Sequence, residues 1–423
     1  MRLSVTAVLT CLVLGVTACG SGADDRADVA PTTAPTTAPP SPAPPVVSST
    51  PPPSAATPEV SDLAAKAQAQ AERQRRKEQR ARKARRAERR EQRRLERLNP
   101  LAGRPMGVYQ GPQELAWGPY ESASGADRET LATIALTPKA TWMGSWFSDD
   151  TVYESVRNNI EIAQDGDPEA LVQFAVFRME PWEHEACDRL PSGAEQDSYR
   201  RWTDEFARAV GDAHTAIVLQ PDGPFLQCVP GGSPVPADLI SYAAKTFSAL
   251  PNTSVYLDAG AGDWPSEGQG GVSAAVDFLM PAGIEHVRGV ALNSTHYSST
   301  EIEVRRGAAL VDELARRGLP GKKVVINTSS NGHPFEFGDY TGPDPDNAYP
   351  CESPDDGRTC VSLGIPPTTE VDDPRWGLPD DVNRLARDHV DAYLWFGRPW
   401  LYRQNSPFEV DRALKIVRSS PWF

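Results

Sequence analysis

The sequence predicts an α/β fold of about seven parallel strands, set either as a distorted (β/α) barrel or as an open sheet, preceded by a disordered linker and a charged helix. Three observations carry this expectation. From Asn99 onward, short apolar and β-branched runs alternate with helix-length segments, the pattern of repeated strand–helix units. A polar residue stands just beyond run after run, which describes a barrel rim. Composition also changes sharply near Ser61 and again near Asn99, so the globular part is smaller than the 423-residue length suggests.

Residues 1–18 have a basic start, a short apolar run and small residues ahead of Cys19, the pattern of a signal peptide rather than a membrane span. Val16-Thr17-Ala18-Cys19 resembles the lipobox of bacterial lipoproteins, which implies acylation of Cys19 and export with a lipid anchor in the cell membrane. An ordinary cleaved signal is the alternative. Residues 19–60 are rich in Pro, Thr and Ser with few large apolar side chains; such a stretch cannot bury a core and reads as a disordered tether.

Residues 61–98 switch to Ala, Gln, Glu and Arg without Gly or Pro, which favours a long solvated helix. This arm carries 15 Lys or Arg against 6 Asp or Glu, a net of +9, which leaves −23 on the rest of a chain whose total is −14. An exported basic arm beside a lipid anchor is suited to anionic lipid or envelope polymer, with a plain charged spacer as the other reading. Nucleic acid is not expected outside the cell. Because the arm lacks Leu or Ile heptads, a monomer is expected.

In the globular part, 99–423, strands are expected at 140–142, 170–177, 215–219, 254–257, 287–292, 323–326 and 391–395. Helices are expected at 151–164, 194–210, 236–250, 271–279 and 301–317. The stretch Thr215–Cys228, TAIVLQPDGPFLQC, organises the rest. An apolar strand stops at Pro221, Gly223 and Pro224, and leaves Asp222 just past its carboxyl end, where α/β folds build their sites. A turn aspartate bonding its own backbone is the alternative. Asp258, Asn293 and the run Asn327-Thr328-Ser329 stand at the ends of later strands.

Two of the 6 cysteines, Cys11 and Cys19, belong to the signal region. The other four read as two disulfides in an exported chain, Cys351 with Cys360 locally and Cys187 with Cys228 bracing the surroundings of Asp222. No metal and no cofactor are expected: no Cys-x-x-Cys pair is present and the 6 histidines are scattered.

The order of motifs from Asn99 to the C-terminus resembles the family 6 glycoside hydrolases, cellulases and cellobiohydrolases that cut β-1,4-glucan with inversion. The residues that carry the resemblance are Asn99-Pro100, PKATWMGSW, SGAEQDSYRRWTDEFARAVGD, LQPD in place of the family's E-P-D, YLDAGAGDW, RGVALNSTHY, INTSSNG and VDAYLWFGRP. The resemblance implies that Asp222 is the general acid, and that Asp258 is the neighbouring carboxylate that raises its proton affinity. It also implies that Trp142 and Trp264 stack sugar rings and that Asn293 binds sugar.

The departures from that pattern are as specific. In the loop FRMEPWEHEACDR, Ala186 stands where the family has an Asp, with Glu185 and Asp188 flanking as substitutes. The C-terminal loop, which in the family supplies a Lys, a Glu and the base Asp, reads Gly397-Arg398-Pro399-Trp400-Leu401-Tyr402-Arg403-Gln404. Arg403 or a neighbour then occupies the base position and Leu401 replaces the Glu. Ala261 replaces the family's His. The resulting expectation is an exported, lipid-anchored hydrolase of β-1,4-glucan or a related polysaccharide, with a catalytically impaired, glycan-binding surface lipoprotein as the alternative.

Overall fold

The computed structural model describes residues 58–423. The expected signal peptide, the Cys19 lipid site and all but the last three residues of the expected tether lie outside the described residues. Helix α1, Pro58–Leu98, begins three residues ahead of Ser61, because proline at a first helical position has no N–H to leave unpaired. Its described side chains are exposed, as expected of a helix with no apolar stripe. The chain divides into two units, and the one that holds the body runs Lys77–Phe423.

The body opens with helices α2 (Trp117–Ser122) and α3 (Gly125–Ala135). Strand and helix then alternate. Strand β1 (Thr141–Gly144) is followed by α4 (Val152–Gln164), and β2 (Val172–Phe177) by α5 (Trp182–Glu185) and α6 (Gly193–Val210). Strand β3 (Thr215–Leu219) leads to α7 (Val235–Ser248), β4 (Thr253–Asp258) to α8 (Gly271–Leu279), and β5 (Gly289–Leu292) to α9 (Thr300–Arg316). Strand β6 (Lys323–Asn327), α10 (Asp380–His389), β7 (Val390–Leu394) and α11 (Val410–Arg418) complete the body. All seven expected strands form, within a few residues of their expected bounds. Helices α2, α3, α5, α10 and α11, all short, are additional to the expected ones.

The strands lie in one parallel sheet in the order β1 to β7, each beside the strand before it. Nearly every strand residue is buried, since one face looks into the sheet's curl and the other against helices. The curl brings the first and last strands together at one backbone bond, Ala140 N–H to Trp395 O at 2.8 Å. They do not form a ladder. The outer edge of β7 is taken at Tyr393 by Thr368, through two backbone bonds of 2.9 Å each, so the barrel stays open there.

Local sequence chemistry starts α6 and α9, whose N-cap serines Ser192 and Ser299 accept from the first-turn backbone. Helix α6 carries a capping box: Ser192 Oγ accepts from Glu195 N–H at 3.3 Å, and Glu195 accepts from Ser192 N–H at 2.7 Å. Under α6 and α7, Phe206 packs on Phe174, Trp202 and Phe247 with ring centroids 5.1–5.3 Å apart, one contiguous core with the sheet. A second apolar cluster joins α3 and α11 to Trp395, Trp400 and Tyr297. No helix among the described residues is long and apolar enough to cross a membrane.

Candidate active site

Strand direction places the candidate residues together. Asp222 follows β3, Asp258 ends β4, Asn293 follows β5 and Asn327 ends β6, so all sit at the carboxyl edge of a parallel sheet. Gln220 and Asp222 adopt left-handed backbone conformations, φ 54° and 65°, which cost on the order of 1 kcal/mol or more for a residue other than glycine. The sharp turn is held from both sides. Gln220 N–H donates to Val176 O at 2.8 Å and Phe225 N–H to Asp222 O at 3.0 Å, while Thr295 Oγ1 donates to Asp222 Oδ1 at 2.9 Å.

Asp258 lies directly behind this turn and is 3% exposed. Its Oδ1 accepts from the backbone N–H of Gly223 at 3.1 Å and of Gly260 at 3.0 Å, and its Oδ2 accepts from Ser294 Oγ. Three donors favour the charged form, yet burial outweighs them. Burial, with the Asp222 charge adding to it, pushes the Asp258 carboxyl up to about 7. Asp222 and Asp258 are thus a coupled pair in which ionisation of one opposes ionisation of the other.

In front of the pair is a cleft of about 560 Å³ walled by Trp142, Phe225, Trp264, His296 and Phe337. A larger hollow of about 650 Å³ is lined by the β1–α4 loop and by charged residues of α4 and α6, and none of the candidate residues lines it. Trp264, His296 and Phe337 form a three-ring stack, with centroids 5.2 Å and then 4.6 Å apart. Asp263 fastens that stack, accepting from His296 Nδ1 at 2.8 Å and from Phe337 N–H at 2.6 Å. Burial raises the Asp263 carboxyl, but the bond and charge of His296 and the Phe337 N–H together hold it below its ordinary value.

Residues 113–399 match the family model described as glycosyl hydrolases family 6. The chain belongs to the glycosyl hydrolases family 6. It is 31% identical over 230 residues to Endoglucanase A of Cellulomonas fimi, covering 54% of this chain and 47% of that one. With Endoglucanase 1 of Streptomyces halstedii it shares 28% over 240 residues, 54% of this chain and 70% of the relative. The chain therefore spans about half the length of the Cellulomonas relative. Among solved structures, an endoglucanase of Mycobacterium tuberculosis superposes with a TM-score of 0.58 at 26% identity, covering 75% of this chain and 98% of that one.

Within this family 6 body the structure brings some expected residues together and moves others away. Asp222, Trp142 and Trp264 line the cleft and Asp258 stands behind it. Trp142 donates its Nε1–H to Phe396 O at 2.7 Å and is 9% exposed, with the Arg398 guanidinium 3.9 Å from its ring centroid. Asn293 needs correction: it is wholly buried beneath the cleft, and its Nδ2 donates to Ser298 O at 3.3 Å and Asn327 O at 3.1 Å. Its amide ties strand ends together, so it offers no surface to a sugar.

Glu185 and Asp188 are exposed and neither lines the cleft; Glu185 pairs with Arg189 at 2.6 Å. Leu401, at the family's Glu position, is buried with Trp400 in the second apolar cluster. Arg403 does line the cleft, but its charge is already engaged: Nε lies 3.0 Å from Asp344 and Nη2 3.4 Å from Asp346. Those carboxylates come from the loop between β6 and β7, far from Arg403 in sequence.

Cys187 is bonded to Cys228 and Cys351 to Cys360, each pair with Cα atoms 5.0 Å apart. His333 lies with Cys351 and Cys360, the one potential metal-ligand trio among the described residues. Both sulfurs are spent on their disulfide, so no thiolate is available and the trio does not fit a metal.

Sequence reasoning passed over the Asp263–His296 pair, and a signal for it existed. His296 lies four residues past an expected strand end and Asp263 directly precedes Trp264, so both belong to rim segments.

Proposed function

We propose that this chain hydrolyses β-1,4-glucan or a closely related β-glucan with inversion, Asp222 giving its proton to the glycosidic oxygen. One observation carries the reading: Asp222 opens on an aromatic cleft at the sheet's carboxyl edge, with the buried Asp258 carboxyl directly behind it. Burial and the Asp222 charge raise the Asp258 carboxyl to about 7, so the coupled pair holds a proton on Asp258 near neutral pH, and general-acid cleavage requires that proton to pass to Asp222. Trp264 and Trp142 are the walls proposed to face sugar rings, Trp142 sharing its ring with Arg398. The Mycobacterium relative was solved in complex with methyl-cellobiosyl-4-deoxy-4-thio-β-D-cellobioside, and a thio-linked cello-oligosaccharide of that kind supports a β-1,4-glucan as substrate class.

We propose further that the body is exported and held at the cell membrane by a lipid on Cys19, with the basic arm against anionic envelope polymer. The two disulfides fit an oxidising setting.

The test is release of reducing ends from soluble β-glucans by the wild-type protein and by Asp222→Asn. Wild-type turnover with a loss of about a hundredfold or more in the variant, and with glycan binding kept, supports the reading. No turnover on any β-glucan, or an unaffected variant, sinks it.

A further inference from the structure

Inversion needs a group that takes a proton from the attacking water, and Arg403, where the family's carboxylate was expected, cannot accept one near neutral pH. Of the side chains that line the cleft, Asp222, Asp346 and His296 are the ones with a group able to do so. Asp222 is committed as the acid. Asp258 is off the cleft with both oxygens occupied. Asp346 is 56% exposed on a surface loop and ion-paired with Arg403.

We propose that His296, oriented by Asp263, is the base. The inference rests on the hydrolase reading above. Both faces of the imidazole are covered, by Trp264 and by Phe337. Nδ1 lies 2.8 Å from the Asp263 carboxylate, which can only accept when ionised; in the neutral ring that leaves Nε2 as the acceptor, and His296 lines the cleft. The backbone beneath is pinned as well: Ser330 Oγ donates to His296 O at 2.8 Å and Gln404 Nε2 to Thr295 O at 2.7 Å. Thr295, the residue before, holds Asp222. Acid and base are therefore set by consecutive residues of one rigid segment, whose Cα atoms are about 3.8 Å apart. Side chains that diverge from such a start can reach the roughly 6.5–9.5 Å separation that admits a water.

In the step itself a water O–H proton passes to His296 Nε2 while the water oxygen bonds to the anomeric carbon. The carbon–oxygen glycosidic bond breaks, its electron pair goes to the leaving oxygen, and that oxygen takes the Asp222 proton. Asp263 faces the imidazolium so formed. Solvent then removes the proton from His296 and returns one to Asp222, and the sugar leaves as the α-anomer. Asp263 acts as a positioning residue through His296.

The experiment compares full-length wild type, His296→Ala, Asp263→Asn and Asp346→Asn on a soluble cello-oligosaccharide, with and without sodium azide. Azide attacks without needing deprotonation. The expected result is a fall in kcat of about a hundredfold or more for His296→Ala and a smaller fall for Asp263→Asn. Azide should restore both variants and yield the α-glycosyl azide, which also proves them folded. His296→Ala with more than half of wild-type kcat overturns the assignment, as does a loss that azide does not rescue. Azide-rescued loss in Asp346→Asn with His296→Ala intact transfers the base to Asp346 and overturns it too. An inactive wild type overturns the hydrolase reading and this inference together, whereas an active wild type beside an unaffected His296→Ala overturns this inference alone.

Discussion

The backbone N–H of Gly223 donates to Asp258 Oδ1 across 3.1 Å, so the residue after the proposed acid is seated directly on the carboxyl behind it. The approach is close enough that a Cβ at Gly223 would overlap the Asp258 carbonyl oxygen. Gly223→Ala must push the two strand ends apart. We expect destabilisation of about 1–3 kcal/mol, the usual cost of overpacking, and a loss of glucan hydrolysis larger than that stability loss explains. Thermal melting and reducing-end assays on the same preparation check both.

Glu303, on α9, is wholly buried, and its Oε1 accepts from Gly262 N–H at 2.7 Å beneath the loop that carries Asp263 and Trp264. Burial pushes its carboxyl up to about 8, and Asp258 up to about 7. In the folded state both hold protons that the unfolded chain releases near pH 4. The stability that goes with the protonated forms is present at low pH and is lost as pH rises toward 7 and 8, by roughly 1 kcal/mol per pH unit for each group. Glu303→Gln keeps the acceptor and removes the titration. Its melting temperature should fall less steeply between pH 5 and 8 than that of the wild type; parallel profiles would refute the buried-acid account.

Arg403 holds Asp344 and Asp346 on one side and lines the cleft on the other. Arg403→Asp would gather three carboxylates where two now share a cation. We expect it to loosen the loop between β6 and β7 and to leave hydrolysis no faster than in the wild type. A rise of about tenfold or more in kcat would show that position 403 itself can serve as the base.

The Cys187–Cys228 bond closes a span of 41 residues and joins the loops after β2 and β3. Cys187→Ser with Cys228→Ser should cost about 2–4 kcal/mol, much of it through the unfolded chain. Urea melts of the two proteins measure the difference, and equal midpoints would contradict it.

Much of the fold was legible in the residues alone because strands and helices answer to short-range pattern. The run Thr215–Leu219 is β-branched and apolar and is followed two residues later by Pro221, and Ser192 with Glu195 spells its own helix start. The carboxylates at strand ends were legible for the same reason: parallel strands place their carboxyl ends on one edge whatever the loops do, which sets Asp222 beside Asp258.

Tertiary structure alone decided which rim residues meet, because that depends on how far the sheet curls and which loop lies over which. Asn293 stands where a sugar-binding residue was expected and Leu401 where the family has a Glu, yet packing turns both inward, one to tie strand ends and the other to fill an apolar cap. Asp263 and His296, from the loops after β4 and β5, carry no local pattern that pairs them; they join at 2.8 Å because neighbouring strands bring their loops side by side. Arg403 and Asp344 are 59 positions apart in the chain and 3.0 Å apart in space. The physical reason is the same in each case: a strand's pattern is set by backbone hydrogen bonding and burial within a few residues, whereas a rim contact is set by loop lengths and by the barrel's closure, and no short-range preference records either.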